Sequence, residues 1–281
     1  MSQNNASKNP FHGLWALTNR DLKKWYKEPF QLFMSVLQPI LWMGLFGKAM
    51  NIGAIFASNP NIPPQIAEAL MSRTFGTSDY FSYMAVGMIS FVGLFTTMSS
   101  GMSIVWDRRL GMLDKILSTP VARSVIVLSK VLTATLRSLV QAGIVLVIAF
   151  ALGLKVGPSF APINIVGVFA VTFLICVGLS SMFLMIGIRS TRWETQMAVM
   201  NLLNLPLMFS SNSLFPISTM PDWLQFIAKL NPLSYASDGI RQLLIYQMDA
   251  SQLLLDLTYL GAFAAVFATI GIVLSWRFLN K

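Results

Sequence analysis

Residues 80–106, YFSYMAVGMISFVGLFTTMSSGMSIVW, contain no Asp, Glu, Lys, Arg or His. As a helix this run would rise about 40 Å, more than the ~30 Å hydrocarbon core of a bilayer. Long apolar runs recur along the chain, and composition decides where they reside. Of 281 residues, 55% are hydrophobic and only 11% charged, with mean hydropathy +0.64. A soluble domain carries about 25% charged residues, so this chain has too few to cover a water-facing surface. The fold class is therefore all-α, a polytopic membrane protein in a single domain, 1–281.

Six spans are expected. Span 1 covers 30–50, where Pro39 should bend the helix. Span 2 is 80–106. Span 3, 124–154, holds Lys130 and Arg137 in its first half, so its start projects below the bilayer. Span 4 is 161–188, span 5 is 195–215 with Asn201, Asn204 and Pro206, and span 6 is 256–277. Six spans put both termini on one side. The inner segments then hold Lys8, Arg20, Lys23, Lys24, Lys27, Arg108, Arg109, Lys115, Arg123, Arg189, Arg192, Arg277 and Lys281; the outer ones hold Lys48, Arg73, Lys155, Lys229 and Arg241. This bias places the termini in the cytoplasm and the chain in the cell membrane. It also accounts for the net charge of +9. A nucleic-acid partner would need a basic face with interleaved stacking aromatics, and none is visible. Residues 1–13, MSQNNASKNPFHG, lack the basic lead and short apolar core of a signal peptide, so insertion relies on the spans.

Ahead of span 1, residues 11–28 read as a basic amphipathic helix. Phe11, Leu14, Trp15, Leu22, Trp25 and Tyr26 gather near one face, with Arg20, Lys23, Lys24 and Lys27 on the other. The pattern suits a helix lying in the inner headgroup layer, with a helix packed on a partner as the competing reading. On the outer side, residues 51–79 combine a Pro/Asn turn with a short helical piece around Gln65–Arg73. Residues 221–248 form two helices too short to span. Pro221 opens the first, Lys229 sits in its last turn and Asn231-Pro232 stops it. Trp223, Phe226, Ile227 and Leu230 share a face, and Asp238 and Arg241, three apart, can pair. A re-entrant pair and two surface helices fit this pattern equally.

The chemistry is sparse. The centres of the expected spans lack ionisable residues, which argues against an ion-coupled carrier. The only FGK, Phe46–Lys48, is followed by Ala49 and lacks the spaced glycine of a phosphate-cradling loop, so this chain should bind no ATP and no other cofactor. The outer carboxylates are scattered and have no histidine near them, against an intramembrane enzyme. Cys176 is alone in an apolar run and reads as packing. His12 has no second histidine for a metal site.

The densest charge lies in DRRLGMLDKILSTPVARS, residues 107–124. Leu110, Leu113, Ile116, Leu117 and Val121 recur at three- and four-residue steps, which predicts a short amphipathic helix ended by Pro120. Such a helix offers apolar knobs ringed by charge to a soluble partner; an ordinary charged hairpin loop is the alternative.

Read with its flanking spans, WDRRLGMLDKILSTP resembles the type-2 family of ABC exporter permeases, which handle drugs, daunorubicin-like antibiotics, lysolipids and polysaccharides. LQPILWMGLFGKAM at 37–50 and SSNSLFPISTMPDWLQFIAKLNPLSYASDGIRQLL at 211–244 extend the resemblance over nearly the whole chain. It implies a permease paired with a second copy of itself or a sister chain, bound to two cytosolic ATPase subunits that carry ATP and Mg2+. By the same resemblance, residues 107–120 would be the coupling helix. Asp107, Arg108, Arg109, Leu110, Gly111, Met112, Leu113, Asp114, Ile116 and Leu117 would then engage the ATPase, with Leu113 and Ile116 as docking knobs. The helix at 11–28, with Trp15, Arg20, Lys23, Lys24 and Trp25, would be the connecting interface helix. The outer helices, with Phe215, Pro216, Trp223, Phe226, Asp238 and Arg241, would cap the exit.

The path for cargo is expected between permease halves, lined by spans 1, 2 and 5 through Gln38, Met43, Met197, Asn201, Asn204, Met208 and Phe209. Polar uncharged groups interleaved with adaptable methionines suit varied apolar cargo. Lipid-facing or packing roles are the plain alternative for any one of them. The apolar lean of these spans favours a hydrophobic or amphipathic compound over a glycan.

Overall fold

The computed structural model describes residues 10–49, 64–77, 79–119, 121–190 and 192–278, and the regular elements among them are helical. Lys8, Pro120, Lys281 and the outer turn at 50–63 lie outside the described residues. Helix α1 (Pro10–Tyr26) leads into α2 (Pro29–Trp42), which continues as a π-helical segment, Met43–Ala49. Pro39 has no N–H to give, and the regular helix lasts one more turn before the wider π winding begins; this is where the sequence predicts a bend. After α3 (Pro64–Phe75) comes α4 (Tyr80–Arg109), opened by Asp79, whose carboxylate accepts from the Ser82 backbone N–H and hydroxyl.

Helix α4 is the axis of the molecule, buried along most of its 30 residues. Around it pack α6 (Arg123–Ala151), α7 (Asn164–Arg189) and α8 (Trp193–Phe209). Small residues set one crossing: a Cβ added at Gly101 would lie 2.4 Å from the Phe183 carbonyl oxygen, and one at Gly187 would lie 2.4 Å from that of Gly101. Helices α4 and α7 therefore meet backbone to backbone, and dispersion between close backbones replaces the hydrophobic drive that lipid does not supply.

Among the described residues, four helices are long and apolar enough to cross a membrane: α4, α6, α7 and α11 (Ala250–Phe278). The apolar stretch in α2 is shorter, and α8 has 17 residues. Exposed Leu, Ile, Val, Phe and Trp side chains line the outer faces of α2, α8 and α11, as an apolar solvent allows.

Helix α8 stops at Phe209, short of the expected 215. Pro206 lies in its last turn, and residues 210–216 run irregularly. Buried backbone without helical partners must find others. Three consecutive carbonyls here do so through side chains. Asn212 O accepts from the Tyr83 hydroxyl at 2.6 Å, Ser213 O from Arg241 Nη2 at 2.8 Å, and Leu214 O from the Tyr80 hydroxyl at 3.4 Å. Beyond lie α9 (Asp222–Leu230) and α10 (Pro232–Leu244), the latter capped by the Asn231 side chain, which accepts from the Leu233 N–H.

Candidate functional site

At the C-terminal end of α4 the chain turns sharply. Gly111 takes φ +64°, a left-handed conformation that suits glycine, and the six-residue helix α5 (Met112–Leu117) folds back beneath the bundle. Leu113 and Ile116 are 3% and 7% exposed, packed against Ile104, Val105, Ile126, Val127 and Leu184. These two residues were expected to point at a partner. They instead hold the loop to its own bundle, because a loop this close to α6 and α7 buries its apolar stripe there first. Leu110 is the outward apolar group, 70% exposed, beside exposed Arg109, Asp114 and Lys115. Met112, Leu117 and Gly111 are half-buried.

Asp107 and Arg108 also turn inward. Arg108 donates to the carbonyls of Ser190 at 2.6 Å and Ile188 at 2.9 Å, tying the loop to the end of α7. Asp107 joins a buried charge cluster with Lys130 at its centre. The Lys130 ammonium bonds both Asp107 and Asp21, the latter at 2.8 Å, while Arg20 reaches Asp21 at 2.7 Å and Asp107 at 3.4 Å. Burial pushes the Asp21 carboxyl up, but Lys130 and Arg20 outweigh it and hold it below its ordinary value. Arg137 donates to the Asp21 backbone carbonyl and lies 5.8 Å from the Trp25 ring centroid. The cluster thus bolts α1 to α4 and α6.

This corrects the reading of α1. Trp25 is 8% exposed, and the inward face of the helix is Thr18, Asp21 and Trp25. Trp15, Phe11 and Tyr26 remain exposed, as do Lys23 and Lys24. Of the two tryptophans expected in the headgroup layer, only Trp15 is free to reach it.

Above the cluster opens a cleft of about 660 Å³ between α1, α4, α6 and α8, with Met98, Trp106, Trp193 and Met197 on its walls and Asp107 and Lys130 at its base. The rings of Trp106 and Trp193 stand 4.9 Å apart. A smaller recess of about 240 Å³ adjoins it, where Gln141 donates to Ser35 at 2.7 Å and accepts from Thr96. Of the expected path residues, Met197 lines the cleft and Gln38 the recess. Met43, Met208 and Asn204 are buried, whereas Asn201 and Phe209 face outward, so these seven do not form one wall. Sequence reasoning passed over Thr96, Ser99 and Gln141. The hydroxyl-rich TTMSSGMS inside an otherwise apolar span was the available signal.

At the opposite end, Trp223 and Phe226 are each 67% exposed, Phe215 is exposed and Pro216 buried. Arg241, expected to pair with Asp238, is fully buried and directs Nε and Nη2 to the carbonyls of Tyr83 and Ser213, its guanidinium 3.6 Å from the Tyr83 ring centroid. The Ser213 carbonyl, left bare after α8, and the Tyr83 carbonyl of α4 take the donors that the neighbouring carboxylate was expected to receive.

The model of the ABC-2 type transporter family matches residues 12–245. The chain is 33% identical over 228 residues to the "Putative transport permease ycf38" of Porphyra purpurea, covering 80% of this chain and 72% of that one. Its counterpart in Pyropia yezoensis is 31% identical over 229 residues, 81% of this chain and 72% of the relative. The daunorubicin resistance ABC transporter permease protein DrrB1 of Streptomyces coeruleorubidus is 24% identical over 216 residues, 77% and 69% of the two chains. A buried axial helix, a charged loop bolted to its bundle and a match that runs from α1 through α10 agree: the chain is a multi-pass membrane permease of the ABC-2 type transporter family.

Proposed function

We propose that this chain is half of the membrane part of an ATP-driven exporter. It crosses the membrane six times with both termini in the cytoplasm, α9 and α10 forming an outer re-entrant pair. It works with a second copy or a sister permease and with two cytosolic ATPase subunits that bind ATP and Mg2+. The observation that carries this is the anchoring of the loop between α4 and α6 to its own bundle. Arg109, Leu110, Asp114 and Lys115 face outward from a turn anchored to α1, α4, α6 and α7 by Asp107, Arg108, Leu113 and Ile116. A partner gripping the outward side would move whole helices, as rigid-body gating requires.

Leu110→Asp is expected to cut recovery of ABC ATPase subunits at least ten-fold in pull-downs from native-membrane detergent extracts, with an unchanged melting temperature. Leu113→Asp should instead lower the melting temperature, since it places a carboxylate in a closed apolar cluster. Full ATPase recovery with Leu110→Asp sinks the docking role.

The cargo we propose is hydrophobic or amphipathic, in keeping with the apolar faces of α2 and α8 and the similarity to a daunorubicin resistance permease. The paired tryptophans and hydroxyls of the inner cleft favour a second reading, a glycan, since sugars stack on aromatic faces and need hydrogen-bond partners. Transport by the assembled complex of labelled amphipathic drugs against glycan precursors decides between them.

A further inference from the structure

Arg137, halfway along α6, lines both the cleft of about 660 Å³ and the adjoining recess of about 240 Å³. Phe95 and Ser99 also line both, so the guanidinium stands where the two spaces join. The cleft alone has the volume of a small-molecule site.

Charge on these walls is balanced except at Arg137. Asp21 and Asp107, at the base of the cleft, are each met by Lys130 and Arg20, two carboxylates against two cations. Lys24 and Glu28 add one exposed charge of each sign. Arg137 is left over. Its Nη2 donates to a neutral group, the Asp21 backbone carbonyl, and among the described residues no carboxylate comes within ion-pair distance of it. Nε is sealed from solvent, whereas Nη1 keeps open surface and has no partner among the described residues.

The recess holds no carboxylate: its polar walls besides Arg137 are Ser35, Gln38, Thr96, Ser99 and Gln141. The hydroxyls there already donate elsewhere, Ser35 to the Leu32 carbonyl at 2.7 Å, Ser99 to the Thr96 carbonyl at 2.6 Å and Thr96 to the Gln141 side chain. The charged donor left for an occupant is the Arg137 guanidinium, with the exposed Gln38 amide on the same walls. An unpaired arginine within a helix long enough to cross a membrane is costly, and such residues mark ligand paths. A hydrogen bond from it to an ionised acceptor is about twice as strong as a neutral one. On the cleft side Phe95, Met98, Met102 and Met197 supply adaptable apolar surface.

We propose that cleft and recess together bind an amphipathic anion, its charged head on Arg137 and its apolar body along Phe95, Met98, Met102 and Met197. A bilayer lipid and a soluble compound share this chemistry. As an assignment of cargo class the proposal rests on the exporter reading; as a binding site it does not.

The test uses the full-length protein in phosphatidylcholine nanodiscs at constant ionic strength, with pyrenebutanoate, pyrenebutanamide and pyrenebutylammonium, which share one fluorescent body and differ in head charge. Energy transfer from Trp25, Trp106 and Trp193 on the cleft walls reads binding, against matched empty nanodiscs. Saturable binding of the anion is expected, at least ten-fold tighter than that of the amide or the ammonium. Arg137→Gln should erase that preference while the amide still binds, and Arg137→Lys should keep part of it, since the charge remains without the planar fork. Arg137→Gln also loses a bond to α1, so Gln38→Glu gives an independent reading. It is an exposed, nearly isosteric change that puts a carboxylate on the recess wall, and it should weaken anion binding at least ten-fold at an unchanged melting temperature. Adding phosphatidylglycerol to the nanodiscs separates the sources: displacement of the probe identifies an anionic lipid as the occupant, and retention identifies a soluble compound. Equal affinities for the three probes, or an anion affinity indifferent to both Arg137→Gln and Gln38→Glu, overturns the proposal. Binding of an anion that the assembled complex does not transport overturns the cargo class and leaves the site, whereas ATP-driven transport of other cargo without anion binding overturns the site and leaves the exporter.

Discussion

Replacing Lys130 by methionine is expected to release α1 from the bundle and lower the melting temperature of the purified protein by more than any single change on the exposed loop. Lys130 is 5% exposed and is the more deeply buried of the two cations, with Arg20, that touch both Asp21 and Asp107. Removing it leaves two carboxylates facing each other in a closed space, with only half-exposed Arg20 between them. Breaking a buried pair in this way costs about 3–5 kcal/mol, mostly because the surviving charge stays buried. The triple change Lys130→Met, Asp21→Asn, Asp107→Asn should restore most of the loss, since it removes the charges along with their partner. Thermal melts, together with protease cleavage between α1 and α2, check both outcomes. A single Lys130→Met variant that melts like the parent shows that the cluster contributes nothing.

The same cluster sets a pH dependence. The Asp21 carboxyl is held below its ordinary 3.8 in the folded protein. Its contribution is therefore complete at neutral pH and is lost only as the pH falls through that lowered value. Melting temperature between pH 7 and pH 5 should not reflect Asp21.

Apolar runs announced α4, α6, α7 and α11, because long uncharged helices have one solvent in which they are stable, and Pro, Gly and Asn marked several of the breaks between elements. Which face of a short helix looks inward was less legible. In α1, Trp15 and Trp25 share an apolar stripe on a helical wheel, yet only Trp25 is buried, since α6 presents Lys130 and Arg137 to the Asp21 side of the helix. Lys130 lies 109 residues from Asp21 in sequence, and no local spacing rule reaches that far. The loop between α4 and α6 carried a second ambiguity: leucines at helical spacing announce a buried stripe without saying what buries it. Leu113 and Ile116 found their own bundle, which leaves Leu110 and the charges around it as the outward side of the loop.

Arg241→Met is expected to be as damaging at the Tyr83 end of α4 as Lys130→Met is at the Asp107 end. The two failed expectations there have a common cause. Helix α8 ends at Phe209 because Pro206 sits in its last turn, and the irregular run that follows needs side chains to serve its carbonyls. Arg241 serves two carbonyls at once, Tyr83 O on α4 and Ser213 O in the irregular run, while stacking on the Tyr83 ring. A methionine fills much of the volume but leaves the Ser213 carbonyl, which has no helical partner, unmet at about 1–3 kcal/mol, and it removes the second donor on the Tyr83 carbonyl and the stacking on the Tyr83 ring. Arg241→Lys should fall between parent and methionine, since a point charge on a flexible stem does not reproduce the planar fork or the stacking. Asp238→Asn separates this account from a simple ion pair three residues apart. If Arg241 were held mainly by Asp238, the two substitutions would destabilise alike; with carbonyls as its partners, Asp238→Asn should melt close to the parent. Melting temperatures of the three variants, with protease sensitivity of residues 217–249, give the comparison. An Asp238→Asn variant as unstable as Arg241→Met would return the arginine to its carboxylate and leave the carbonyls after α8 without their main donor.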